Sequence, residues 1–238
     1  MCKPNESIRT TPKEKVKLQK TTFKSGSKIH LKDFDARSTS GTTKEEAIAM
    51  CEENTTAIDE LSYRLYAENT RALLLVFQGM DTAGKDGAIR HVMRGVDAQA
   101  AEVHPFKKPS SLELDHDFLW RIHQKVPSKG NIGIFNRSHY EDVLVVRVHN
   151  LVPHNEWSTR YNRINDFEEI LTDSGVTILK FFLHISKEEQ RERLQARLDN
   201  PNKLWKFSKA DLSERKLWDD YQVAYTNALN KCNTTHAP

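Results

Sequence analysis

The chain has 238 residues, of which 37% are hydrophobic and 29% charged, and carries a net charge of +3; that length supports one sizeable α/β core with a mobile subdomain better than two independent domains. No apolar run approaches the roughly 18 residues of a membrane span, and the first residues lack a signal-peptide core, so no membrane partner is expected. Cys2, Cys51 and Cys232 are odd in number and widely spaced, which argues against a disulfide framework or a zinc site and for a reduced, cytoplasmic setting.

The charge is unevenly placed. Nine basic residues between Lys3 and Lys32 meet only Glu6 and Glu14, so residues 1–32 carry +7 and the remainder −4. Such an arm is either a solvated, partly disordered tail or an attractor for a long polyanion. Residues 33–238 are read as a single domain. After the arm, Thr43-Lys44-Glu45-Glu46 matches a capping box, and Ala47, Met50, Cys51, Ile58, Leu61 and Leu65 follow at helical spacing. This helix is expected to cover one face of a sheet.

Leu73 to Gln78 is a short apolar strand that runs into Gly79-Met80-Asp81-Thr82-Ala83-Gly84-Lys85. Two glycines framing four residues, with a lysine after the second, read as a phosphate-binding loop: backbone N–H groups turn inward and the lysine adds a charge at the start of the next helix. Asp86 stands where a Ser or Thr would hold magnesium through its hydroxyl, so a carboxylate such as Asp81 must help hold any metal. A helix is expected from Asp86 to Val96, an extended stretch from Ala101 to Phe106, a helix from Leu112 to Lys125 and a strand from Ile132 to Phe135. Helical segments follow around His139 to His149 and Asn155 to Thr172. Val176 to Ile185 is a continuous apolar run, expected for a strand buried on both faces. Ser186-Lys187-Glu188-Glu189 caps the next helix, and Asp211 to Lys231 is the last. The alternation of strand and helix argues for a doubly wound parallel sheet, whose ligand crevice lies at the C-terminal ends of the strands.

Three further clusters fall at that end. Asn136-Arg137-Ser138-His139-Tyr140-Glu141-Asp142 follows the Ile132–Phe135 strand; Asn136 stands where a carboxylate usually supports magnesium, although Asn136 or Ser138 is also compatible with a plain helix cap. Arg193 and Arg197 lie four apart and share a helix face before the Asn200-Pro201-Asn202 break. Beside a phosphate loop they read as a lid that neutralises charge on a transferring phosphoryl group, with pairing to Glu188, Glu189 and Glu192 as the bland alternative. Arg90, His91, Arg94, Lys107 and Lys108 either line a groove for further phosphates or are ordinary surface charges. None of the ten histidines has a metal-binding spacing.

Gly79 to Gly87, Phe135 to Val143, Ile164 to Phe167, Leu179 to Ser186 and Trp205 to Ser208 together resemble the polyphosphate kinase 2 family, over about Leu31 to Pro238. The resemblance implies a P-loop kinase-like (thymidylate-kinase-like) α/β fold with a helical lid, here about 187–210. It also implies transfer of the terminal phosphoryl group between inorganic polyphosphate and a nucleotide (AMP, ADP or ATP), dependence on magnesium or manganese, no nucleic-acid partner, and a homo-oligomer, dimer or tetramer. By position, Asp81 and Asn136 resemble the metal-side residues, with Lys85, Arg137, Arg193 and Arg197 as the catalytic cations. Gly79, Thr82, Ala83, Gly84, Asp86, Gly87, Arg90 and Lys203 resemble the phosphate contacts. Many members have Asp at the place of Asn136; Asn136 with Glu141 resembles the subgroup that phosphorylates both AMP and ADP. The family pattern continues past Pro238 into a strand and a helix, so a shortened chain is expected.

Overall fold

The computed structural model describes residues 23–238. Four parallel strands, β1 (Ala72–Gly79), β2 (Ala101–Pro105), β3 (Ile132–Asn136) and β4 (Val176–Leu183), lie in the order β2-β3-β1-β4. Alternation along β1 divides the interior into two layers. Leu74 and Val76 join Phe135, Ile164, Phe167, Ile178 and Tyr225 on one face, while Leu75 and Phe77 join Ile89, Ile132 and Ile134 on the other. Phe135 is fully buried in the first of these layers; leaving such a side chain exposed instead would forfeit about 2–3 kcal/mol. Gly133 is required for close packing, since a Cβ there would sit 2.8 Å from Pro127 Cδ.

The first helix, α1 (Lys44–Glu68), forms as the capping box predicts: Thr43 Oγ1 accepts from the Glu46 amide and Glu46 returns to the Thr43 amide. It is a peripheral cover. Leu65 packs on the Leu75–Phe77 layer, whereas Leu61 is 60% exposed and Ala47 also faces out. The helix after the loop, α2, is Lys85–Val92 and ends four residues before the expected Val96.

Three expectations need correction. Val176 to Ile185 is not buried on both faces: β4 is an edge strand, Val176 and Ile178 face the core, and Leu179 and Phe181 are each 41% exposed, the latter stacked on Phe77 at 5.0 Å. The helix read from Leu112 to Lys125 is two short turns, Ser111–Leu114 and Trp120–His123. Asp117 Oδ1 accepts from the Leu119 amide at 2.9 Å, a local bond that competes with helix continuation. The last helix, read as Asp211 to Lys231, breaks at Leu217 into Lys209–Lys216 and Trp218–Lys231.

Residues 1–22 of the basic arm lie outside the described residues. The described part of the arm, 23–32, packs along the domain as a strap. Ile29 and Leu31 point inward between exposed Lys28, His30 and Lys32. The Ile29 amide donates to Asn230 Oδ1 at 2.7 Å, and Asn230 Nδ2 donates back to the Ile29 carbonyl at 2.8 Å. Among the described residues no helix is long and apolar enough to cross a membrane.

Candidate functional site

The sheet register brings three segments to one place. Phe77 pairs with Asn136 and Gly79 with Leu183, so the loop after β1 lies between the ends of β3 and β4. Gly79 is needed there, since a Cβ would meet the Leu183 carbonyl oxygen at 2.8 Å. The loop turns through a bond from the Ala83 amide to the Met80 carbonyl at 3.0 Å. Thr82 takes a positive φ of 63° and Gly84 one of 97°. Gly84 accommodates this without cost, but Thr82 is a threonine in the left-handed region, which carries about 1–2 kcal/mol of strain.

Lys85 opens α2 with its side chain folded over the loop. Its Nζ donates to the Gly79 carbonyl at 2.8 Å and the Met80 carbonyl at 3.2 Å, and the residue is 8% exposed. Burial, with help from the nearby Arg137 guanidinium, pushes its pKa down to about 8, against the opposing pull of Glu141, Asp81 and Asp86. Arg137 sits at the end of β3 with φ 62°; its amide still reaches the Phe77 carbonyl at 3.0 Å, and its Nη1 lies 3.8 Å from Glu141 Oε2. Burial works to lower the Arg137 pKa, but Glu141 and Asp81 more than offset it and hold the guanidinium charged. Asn136 Nδ2 donates to Asp86 Oδ1 at 2.7 Å. This bond ties the second cluster to α2 and accounts for the residue that stands in the usual hydroxyl place. Ser138 is also a cap, accepting from the Tyr140 amide at 3.2 Å, as the capping reading of this segment expects.

The helix expected to form a lid, Lys187–Leu198, is capped by Ser186 Oγ, which accepts from the Glu189 amide at 3.0 Å. The two arginines expected to act together diverge. Arg193 donates through Nη1 to the Thr82 carbonyl at 3.1 Å and through Nε to Glu189 Oε1 at 2.7 Å. Its Nη1 would be 3.2 Å from a Cβ on Gly84, so the second loop glycine admits the arginine. Arg197 instead turns to Asp211 Oδ2 at 3.6 Å and the Lys206 carbonyl at 3.3 Å. The Arg193–Glu189 pair is the bland pairing foreseen from sequence, made together with the loop contact. Lys203, Arg90, His91, Arg94, Lys107 and Lys108 are exposed. Asp86 and Gly87 are exposed, and space is open around Gly87.

Sequence reasoning missed Gln78, whose Nε2 donates to Ser138 Oγ at 3.0 Å and joins the ends of β1 and β3, and Gln190, which binds the Asp81 carbonyl at 3.0 Å. Neither belongs to a spacing pattern that would single it out.

Among the described residues no group of three or more His, Cys, Asp or Glu side chains forms a metal site. The oxygen donors at hand are Asp81, Asp86, Asn136 and Glu141. Such an open set fits a hard cation that keeps its waters and takes further ligands from phosphate, which is how magnesium is ordinarily held.

The family description "Polyphosphate kinase 2 (PPK2)" matches residues 11–238. The chain is 52% identical over 213 residues to an AMP/ADP-polyphosphate phosphotransferase of Meiothermus ruber, covering 89% of this chain and 80% of that protein. It is 50% identical over 193 residues to an ADP-polyphosphate phosphotransferase of Rhodopseudomonas palustris, covering 76% and 67% respectively. The fold superposes on the crystal structure of polyphosphate kinase 2 from Arthrobacter aurescens TC1 with a TM-score of 0.87 and 46% identity, over 90% of this chain and 78% of that one.

Proposed function

The chain belongs to the polyphosphate kinase 2 family, and from that premise we propose that it transfers the terminal phosphoryl group of inorganic polyphosphate to AMP and to ADP, reversibly. The observation that carries this reading is the convergence of Lys85, Arg137 and Arg193 on one loop with Asp81 and Glu141 beside them. The bond between the terminal and penultimate phosphates breaks, and its electron pair leaves on the shortened polyphosphate. A new P–O bond forms to a phosphate oxygen of the acceptor. That oxygen is already anionic, so no strong base is required. Alignment and charge neutralisation do the catalysis.

Lys85 and the loop amides bind the transferring phosphate, and Arg137 and Arg193 neutralise charge on its flanks. Arg197 and Lys203 extend the cationic lid. Asp81 and Asn136 would hold magnesium, which would supply neutralisation of phosphate charge. The neutral Asn136 lowers the local negative charge by one relative to an aspartate, which eases approach of an anionic monophosphate. On this reading Asn136 and Glu141 set the acceptor preference.

The deciding experiment mixes the protein with AMP, magnesium and polyphosphate, without ATP, and analyses the nucleotides formed. ADP followed by ATP is expected. No ADP under these conditions, with ready turnover when ATP is the donor, overturns the proposal in favour of an ATP-dependent nucleoside monophosphate kinase. Binding of polyphosphate without turnover of either donor points to a non-catalytic polyanion-binding protein.

A further inference from the structure

Gln190 is a polar side chain on the lid helix that is only 2% exposed. Its two ends meet different partners. Nε2 donates to the Asp81 carbonyl at 3.0 Å, and Oε1 accepts from Arg215 Nη1 at 3.1 Å. Arg215 belongs to the Lys209–Lys216 helix beyond the Pro201 break, and the same Nη1 also donates to the Lys187 carbonyl at the start of the lid helix. One side chain therefore connects the phosphate loop to both helices that flank the lid turn. Three residues on, Arg193 donates to the next loop carbonyl, that of Thr82.

The two contacts fall on the strained part of the loop. Thr82 has φ 63°, and its Oγ1 is buried without a hydrogen-bond partner. A backbone held in such a sparsely populated region persists only where its surroundings over-determine it. Peptide planarity adds a second consequence. In a trans peptide the N–H points opposite to the C=O, so fixing the Asp81 carbonyl toward the lid helix fixes the direction of the Thr82 N–H. The Gln190 amide suits this place because it donates at one end and accepts at the other; a carboxylate would present an acceptor to the Asp81 carbonyl, and an apolar side chain would satisfy neither partner.

We propose that Gln190 is a positioning residue of the phosphate loop, which holds the Asp81–Thr82 peptide in its working orientation only while the lid helix and the Arg215 helix are both seated. The loop's shape thereby becomes conditional on the lid. This rests on the phosphotransfer reading above for its kinetic consequences, but not for its structural ones.

The test pairs two substitutions with two readouts. Backbone hydrogen exchange over residues 79–85, measured on the full chain without nucleotide or polyphosphate, is expected to accelerate at least about tenfold in Gln190→Leu, with 72–77 of β1 unchanged. Turnover with AMP, magnesium and polyphosphate is expected to fall about ten- to a hundredfold at saturation. Gln190→Glu keeps the shape and the acceptor for Arg215 but sets a carboxylate oxygen where Nε2 donates to the Asp81 carbonyl, so its turnover at saturation is expected to fall as in Gln190→Leu while the KM for AMP changes less than about threefold. Unchanged loop exchange in a folded Gln190→Leu protein overturns the positioning role, and so does wild-type turnover at saturation in Gln190→Glu. If the wild type itself turns over no polyphosphate, the functional reading fails, and the exchange measurement alone still decides the role of Gln190.

Discussion

Lys85→Met isolates the energetic cost of burying the Lys85 charge. Inside the loop the Lys85 pKa is pushed down from 10.5 to about 8 by burial and by Arg137. At about 1.36 kcal/mol per decade, holding this lysine charged costs the folded protein about 3 kcal/mol. The folded state binds the proton less tightly than the unfolded chain. The cost is therefore complete below pH 8, shrinks between about pH 8 and pH 10.5, and vanishes above. Methionine has a similar shape and no charge, but it strips the Gly79 and Met80 carbonyls of their donor, at about 1 kcal/mol each. The variant is expected to be about 1 kcal/mol more stable than wild type at pH 7, a rise in melting temperature of about 2–4 °C, and about 2 kcal/mol less stable above pH 10.5, with the curves crossing near pH 9. Turnover is expected to fall about a hundredfold or more, as on losing an electrostatic donor to the transition state. Denaturant unfolding of both proteins from pH 7 to 10.5, with turnover at pH 7, makes the measurement. A variant that is less stable at every pH by a constant amount refutes the buried-charge argument, and one with near-normal turnover shows the loop to be only a turn.

Arg193→Ala is expected to cut turnover by roughly a thousandfold with little change in melting temperature, because Arg193 reaches the loop and such arginines act on transferring charge. Arg197→Ala should lower turnover less steeply, since Arg197 is held by Asp211 and the Lys206 carbonyl; equal effects would restore the paired-lid reading. Asn136→Asp sets a second carboxylate against Asp86, now 2.7 Å from the amide it replaces, so the variant should melt earlier in chelator, recover with magnesium, and lose more of its specificity constant for AMP than for ADP; an unchanged acceptor ratio would move acceptor choice to Glu141. Glu168 is fully buried and takes His139 Nε2 at 3.1 Å, the Tyr140 hydroxyl at 2.8 Å and Lys180 Nζ at 2.7 Å. Burial works to raise its pKa, but His139 and Lys180 hold it below the ordinary value. Glu168→Gln leaves Lys180 without its counter-charge and is expected to cost about 3 kcal/mol or more; a melting temperature within 1 °C of wild type would contradict this.

What could be read from the sequence was what local chemistry decides. The Thr43 and Ser186 caps, the strand into Gly79 and the turn of Asn136 and Arg137 at the end of β3 each follow from neighbouring residues and stand as expected. What could not be read depends on distant pairing. The apolar run from Val176 looks buried on both faces because composition cannot say that β4 is last in the strand order. The direction of a long side chain is equally opaque: Arg193 and Arg197 share a spacing, yet Thr82 captures one and Asp211 the other. Gln190 escaped notice because an isolated glutamine acquires meaning only when a loop carbonyl and an arginine from separate segments arrive at its two ends.

On the phosphotransfer reading proposed above, the charges give a reason for a metal in this site even though the protein supplies few ligands for one. Lys85, Arg137 and Arg193 stand against Asp81, Glu141 and Glu189, so the cluster is close to neutral. A neutral cluster offers little net attraction to a chain that bears about one negative charge per phosphate. The carboxylates nevertheless stay, because without them burial would pull the lysine pKa down further and weaken its charge at neutral pH. Asp81 would hold a divalent cation on that reading, and the positive charge it would supply would turn a repelling carboxylate into an attractive centre. Affinity for phosphate should accordingly depend more steeply on magnesium than affinity for an uncharged nucleoside would, and equal dependence would mean that the carboxylates serve only to support the lysine and arginine.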